Sequence, residues 1–421
     1  MPLKRTPIVT YPDIKAAFDS ILHKEELELQ KSSRYTNPLK CYDKGPFGMP
    51  VLMPVDDVNY SYTAFFNEAE SNQFVLSRLK SKRFSLKPNL KYRKYLYRGQ
   101  SAFYPNCSPS IYRTGKEEKQ NFLIEECALG QELMMLMLSH PLVQLLDIGF
   151  SLGGFYFRPE MNLFGLTQHY YNKTNLLDFT SDPLVAAFFA VTDYDPKTDT
   201  YSPVLDQSKS GVLYTYELNP ETSFKQDNLR TIGLQVFPRS SSQSGFLLEM
   251  SKDDDLNKNK NVRFVRFRHN AELSQKIFDQ LQGGKLLFPD DILSRHWNTY
   301  NKDKHFVSES AMVLNSIMNQ PEEYNSLVEA IKEYGYDIQK GKPTFSQEEL
   351  IEYYQDIKNG FWVEFCDKIY IPGDKEGKIK EQLLQIEKNP DYAWAFNPGM
   401  GHAVNYRDGY LMSQYEKALR V

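Results

Sequence analysis

Three stretches of this chain hold residue types that could do chemistry together. The first is Tyr97-Arg98-Gly99-Gln100. An arginine beside a strand end presents a planar fork of donors to a phosphate or carboxylate, and the following glycine lets backbone approach a ligand closely. The second is Gln168-His169-Tyr170 followed by Asn175-Leu176-Leu177-Asp178-Phe179-Thr180. His169 can serve as a hydrogen-bond donor or general base. Asp178 and Thr180 share one side of the segment if it is extended, because strand side chains alternate. The third is Arg239 to Phe246, a serine-rich run with Gln243 that could fold as a loop over a ligand. Each stretch has a plainer reading. Arg98 could hold a buried aspartate, Asp178 could be a structural partner with Thr180 only part of a helix start, and the serine run could be a flexible surface loop.

The elements that must position these residues follow from periodicity and punctuation. Tyr95 to Tyr97 reads as a short strand ending at Arg98-Gly99. A long buried helix is expected over Glu117 to Leu146, and a very apolar one over Asp182 to Val191, with Ser181-Asp182-Pro183 as its cap. Gly211 to Leu218, Gly245 to Met250 and Val262 to Arg268 read as strands, with a charged turn at Asp253 to Asn261. Glu272 to Leu281 reads as a helix closed by Gly283-Gly284. Strands mixed with separate helices predict an α+β fold: a central mixed sheet with packed helices, and helical N- and C-terminal extensions. The expected divisions are 1–92, 93–298 and 299–421. Helices are expected from Ile14 onward, over Tyr62 to Leu79, and in the tail at 321–335, 346–358, 376–387 and 407–419.

Composition narrows the classes. The chain has 421 residues, 41% of them apolar, and a formal charge of −4, so a core can form and a globally basic nucleic-acid coat is excluded. Residues 78–94 are nevertheless rich in Lys and Arg, interleaved with Phe84 and Tyr92. That suits a single nucleic-acid strand, or equally a solvated surface segment. Four scattered cysteines form no CxxC and fit a reducing compartment. The absence of an apolar leader or an 18-residue apolar run makes the cytoplasm the expected location, with no membrane association. No P-loop, GxGxxG or HExxH occurs.

Three blocks in order carry a resemblance: YRGQ at 97–100, QHYYNKTNLLDFTSDPLVAAFFA at 168–190 and PRSSSQSGF at 238–246, with Val262 to Pro289 as a similar closing segment. Together they resemble the FRG domain family over about 93–298. The chain departs from the family pattern at Tyr171, Lys173, Asn175 and Phe179, where the family has Gly, Pro, Arg and Trp. The layout is in turn similar to ADP-ribosyltransferases with an Arg–Ser/Thr–Glu arrangement. That resemblance implies an enzyme using NAD to modify a macromolecule, a nucleic acid or a protein, as a toxin or defence effector. It would assign pyrophosphate binding to Arg98 (with Tyr97, Gly99, Gln100 and Asp178 around it) and the ribose to Thr180. A catalytic role would go to His169 and to Gln243 or Glu249. The alternative is a module that binds nucleotide or nucleic acid without turnover, its helical extensions binding a partner. A third possibility is a ligand-free adaptor. The feature that separates an enzyme from a binding module is whether Glu249 or another carboxylate reaches the groove.

Overall fold

A computed structural model describes residues 9–31, 39–42, 51–54, 73–78 and 84–90; 92–349 with short gaps; 361–370; 381 and 384; and 394–397 and 402–405. Its centre is a seven-stranded mixed sheet built from β1 (Thr10–Tyr11), β2 (Tyr95–Gln100), β3 (Leu176–Thr180), β4 (Ser210–Glu217), β5 (Leu229–Thr231), β6 (Gly245–Glu249) and β7 (Val262–Arg268), in the spatial order β1-β7-β4-β2-β3-β6-β5. Every neighbouring pair is antiparallel except β1 on β7. With helices packed around that sheet the fold is α+β.

The apolar residues of the strands explain both layers. Leu96, Tyr214, Tyr216, Phe179 and Leu248 are buried in the larger cluster, together with Leu133, Leu136 and Met137 of the helix α2 (Gln120–Leu138). Tyr95, Tyr97, Leu213 and Phe267 are buried in a second cluster, against α1 (Ile14–Lys31) and α4 (Pro183–Val191). The third helix, α3 (Leu163–Gln168), ends just ahead of β3. The buried Glu25 of α1 ties that layer down: it accepts from the backbone of Lys94 (2.7 Å) and Tyr95 (3.1 Å) and from the Tyr97 hydroxyl. A carboxylate with so many donors is satisfied although buried.

Several expectations need correction. Arg98 and Gly99 lie inside the strand, which runs on to Gln100. The long helix ends at Leu138, where the Ser139 hydroxyl bonds back to the Leu136 carbonyl. The described part of the segment expected to be helical at Tyr62 to Leu79 contains a strand, Phe74–Arg78, paired with Phe84–Pro88 and with Ile369–Tyr370. The buried Phe74 and Leu86 give tertiary pairing priority over helical spacing there. Positions 62–72 lie outside the described residues, as do the expected helices at 376–387 (apart from 381 and 384) and 407–419, and that at 346–358 beyond 349. Tyr324–Glu333 is helical as expected; Phe361–Lys368 is a helix that the pattern did not announce. Within the basic stretch Lys94 is buried and Arg93 faces Glu25 at 3.5 Å, so its end is committed to the fold. Among the described residues no helix is long and apolar enough to cross a membrane.

One buried acid links the tail to the centre. Glu132 of α2 accepts from the backbone N–H (3.0 Å) and hydroxyl (2.5 Å) of Ser308. Burial, only partly opposed by these bonds, pushes its carboxyl up to about 7. A raised carboxyl pKa gives stability that is fully present below the ordinary carboxylate range and is lost as pH rises through about 7. The melting temperature is therefore expected to fall between pH 5 and pH 8. Glu132→Gln, neutral throughout, should flatten that fall in a thermal melt series; an equally steep decline in the variant would remove Glu132 as its cause.

Candidate functional site

The two halves of the sheet meet at β2 and β3, which are paired at Tyr97↔Thr180. Beyond that pair Arg98 supplies the next link: its Nη1 donates to the Asp178 carbonyl at 2.8 Å, where a ladder bond would otherwise stand. A cavity of about 1400 Å³ opens around this junction. Arg98, Gln100, Arg113, Gln168, His169, Asp178, Thr180 and Gln243 all line it.

The sequence places these side chains through ordinary local rules. Asn162 caps α3 by accepting from the Gly165 N–H, and His169 is the residue that closes the helix. Asp178 and Thr180 alternate along β3 onto one side. Asp182 caps α4, accepting from the Leu184 N–H at 2.8 Å, with Pro183 in the first turn. The serine run is not a loop as expected. Pro238–Ser242 forms a short helix, α5, with Ser240 and Ser241 buried and Gln243 closing it.

Asp178 is the carboxylate of β3 that lines the cavity. Its side chain is 48% exposed, accepts from Gln168 Nε2 at 2.6 Å and lies 3.9 Å from His169 Nε2. Glu249 does not line the cavity. It sits four residues along β6 from Gly245, about 13 Å at strand rise, and is held by Arg230 and by Asn175 Nδ2. Position 175, where the family pattern has arginine, thus also faces Glu249. Gln243 is buried and donates to the Leu287 carbonyl at 3.1 Å. Thr180 donates to the Gln243 carbonyl at 2.7 Å and accepts from the Asp182 N–H at 3.0 Å. Its hydroxyl proton is committed to holding β3 against α5, so Thr180 has only acceptor capacity left for a ligand. Tyr97 and Gly99 border the cavity, but the Tyr97 hydroxyl is bound to Glu25, and Gly99 is pressed against α4. Gln100 is buried, its Oε1 accepting from the Cys107 thiol at 3.7 Å.

Two features escaped the sequence reading. Arg113 lines the cavity near Arg98, with Nε bonded to the Ser108 carbonyl at 2.5 Å. Partial burial and then the charge of Arg98 hold its guanidinium below its ordinary pKa. The second is the hairpin formed by Thr192–Asp195 and Thr200–Pro203, which supplies the outer wall. Neither sits in a motif, and only the folded chain brings them to Arg98.

The electrostatics favour an anion at the inner end. Two like charges, Arg98 and Arg113, face one cavity and are relieved by a negative group between them. Arg98 Nε and His169 Nε2 are buried and have no hydrogen-bond partner among the described residues. Burial pushes the His169 imidazole below its ordinary pKa, against the Asp178 charge that raises it, so the ring is neutral at pH 7.

Comparison with known families agrees with the first two blocks. The family model for the FRG domain matches residues 93–199, so this stretch is an FRG domain. It contains Arg98, Arg113, His169, Asp178 and Thr180, while Gln243 and Glu249 lie beyond the matched residues. No curated protein and no solved structure matches the chain.

Proposed function

We propose that the cavity around Arg98 binds NAD and that the protein transfers ADP-ribose from it to a macromolecule. The observation that carries this reading is the convergence of Arg98, His169, Asp178 and Thr180 on one cavity, although they lie up to about eighty positions apart in the chain. The volume suits a dinucleotide, being above the usual range for small ligands. The orphaned Arg98 Nε and the neighbouring Arg113 offer donors to a pyrophosphate. Bound NAD would supply an activated glycosidic bond whose cleavage builds positive charge on the ribose. Asp178, half exposed and fixed by Gln168, is the group that can stabilise that charge, a role the sequence reading gave to Gln243 or Glu249. His169, neutral and with Nε2 unpaired, can accept a hydrogen bond there or donate one, according to tautomer.

The test is incubation with labelled NAD and cell extract, alongside calorimetric titration with NAD. Wild type should bind NAD and label a macromolecule. Asp178→Asn should keep binding within a few-fold and slow label transfer by about 10–100-fold. Saturable NAD binding with no transfer by wild type would leave the non-catalytic reading, which the committed hydroxyl of Thr180 favours. No NAD binding at all would end both.

A further inference from the structure

Asp178 is presented to the cavity by a chain of side chains that begins in the interior. Thr174 stands just ahead of β3 and is 1% exposed. Its hydroxyl oxygen accepts from the Leu176 N–H at 3.1 Å, and its proton is donated to Gln168 Oε1. Gln168 Nε2 in turn donates to Asp178 Oδ1 at 2.6 Å. The directions follow from one another. A carboxylate accepts, so the amide turns its NH2 to Asp178; its Oε1 then faces Thr174, whose hydroxyl has to donate. The two ends of the chain differ in freedom. Thr174 is β-branched, buried and tied to the backbone at Leu176, which leaves it one rotamer. Gln168 has several rotatable bonds and lines the cavity, where an unheld amide is open to many positions. The bond to Thr174 removes that freedom. With Asp178 Oδ1 occupied by a fixed amide, Oδ2 of the half-exposed carboxylate is left for a ligand.

We propose that Thr174 is a positioning residue: acting through Gln168, it sets which oxygen of Asp178 faces the bound ligand and at what angle. The proposal rests on the NAD reading for the reaction that Asp178 serves, while the hydrogen-bond chain itself does not need it. A carboxylate that stabilises positive charge on a ribose works through its placement, and a shift of about 1 Å is enough to slow such a step strongly. The rest of the dinucleotide stays bound as before. Thr174 does not line the cavity and touches no ligand there. Loss of its hydroxyl is therefore read in the rate at saturation and not in affinity. The spacing of the three residues along the chain serves this contact. Gln168 ends α3, Thr174 precedes β3, and the turn between them folds the helix end back onto the strand that carries Asp178.

The experiment uses the full chain with Thr174→Val, Thr174→Ser, Gln168→Met and the double variant Thr174→Val/Gln168→Met. NAD affinity is measured by calorimetry and nicotinamide release at saturating NAD. The Gln168 side-chain amide is followed by proton–nitrogen NMR, its signal assigned by its loss in Gln168→Met. Thr174→Val should slow release by about fivefold or more, keep NAD affinity within about twofold and shift the amide signal. Thr174→Ser retains the hydroxyl and should restore both rate and signal. The double variant should be no slower than Gln168→Met, because a contact that acts through Gln168 has nothing to act on once the amide is gone. Additive losses in the double variant overturn the proposal, as does an unmoved amide signal in Thr174→Val. Equal losses in Thr174→Val and Thr174→Ser overturn it too, by assigning the effect to packing. Gln168→Met, at a half-buried position on the cavity wall, decides even where Thr174→Val does not fold: release at the wild-type rate overturns the chain of contacts, and a loss of about fivefold or more at unchanged NAD affinity supports it. Wild type that releases no nicotinamide overturns the NAD reading instead. The amide signal then decides alone, its shift in Thr174→Val and its recovery in Thr174→Ser supporting the positioning role.

Discussion

Gly99→Ala is expected to destabilise the protein by about 3 kcal/mol or more, enough to leave much of it insoluble at 37 °C. A Cβ built on Gly99 would lie 1.9 Å from the Ala186 carbonyl oxygen and 2.7 Å from both the Cβ and the backbone nitrogen of Ala190. Two of those three atoms belong to the backbone of α4, so no rotamer change relieves the clash; the helix must move off the strand. The helix sequence PLVAAFFAV turns Ala186, Ala187 and Ala190 into the cluster on this side, and only small residues allow this approach. The glycine of the Tyr-Arg-Gly motif is therefore needed for packing, whatever binds beside Arg98. A useful comparison is Gly245→Ala, where the nearest atom, Ile232 Cδ1 at 2.7 Å, is the mobile end of a side chain. Its cost should be about 1 kcal/mol. Urea unfolding of the two variants would check the ranking. Equal stability of Gly99→Ala and wild type would mean that strand and helix are further apart than described, and with them the cavity wall.

This division of labour explains what the sequence could and could not reveal. Alternation and capping were enough to mark β4, α4, β6 and β7, because their patterns are local. Asp178 and Thr180 were legible as a pair on one side of a strand for the same reason. What alternation cannot supply is distance along a face. Glu249 has the correct parity to share a side with Asp178 and Thr180, yet it lies too far down β6 and meets Arg230. The commitment of a hydroxyl is also invisible beforehand: Thr180 looks available until Gln243 is found across from it. The serine run failed for a different reason. Its composition suggests a loop, but Pro238 in the first turn and burial of Ser240 and Ser241 make it a short helix. Tertiary partners also overrode the helical spacing before Leu79, where Phe74 pairs into a small sheet with a strand nearly three hundred residues away.

Under the proposed NAD reading, Arg98→Ala is expected to reduce label transfer by about 10²–10³-fold, the scale for loss of one well-placed donor to a developing or fixed charge. Its effect on stability should be smaller, about 1–2 kcal/mol, because the bond lost is one charge-assisted contact to a carbonyl that faces the cavity and can be rehydrated. The guanidinium does two things at once. Nη1 is occupied by the Asp178 carbonyl, which fixes the plane of the fork, and that fixed fork keeps further N–H groups available. Arg98→Lys should therefore recover little activity although it restores the charge: an ammonium drawn to the Asp178 carbonyl has no second, geometrically fixed donor to offer. The readouts are urea unfolding, calorimetric titration with NAD, and label transfer measured on the same preparations. Near-wild-type unfolding with lost binding supports a ligand-holding arginine. Unfolding as severe as that of Gly99→Ala would make Arg98 a structural tie across the β2–β3 junction, and the anion site would then have to be sought at Arg113 alone.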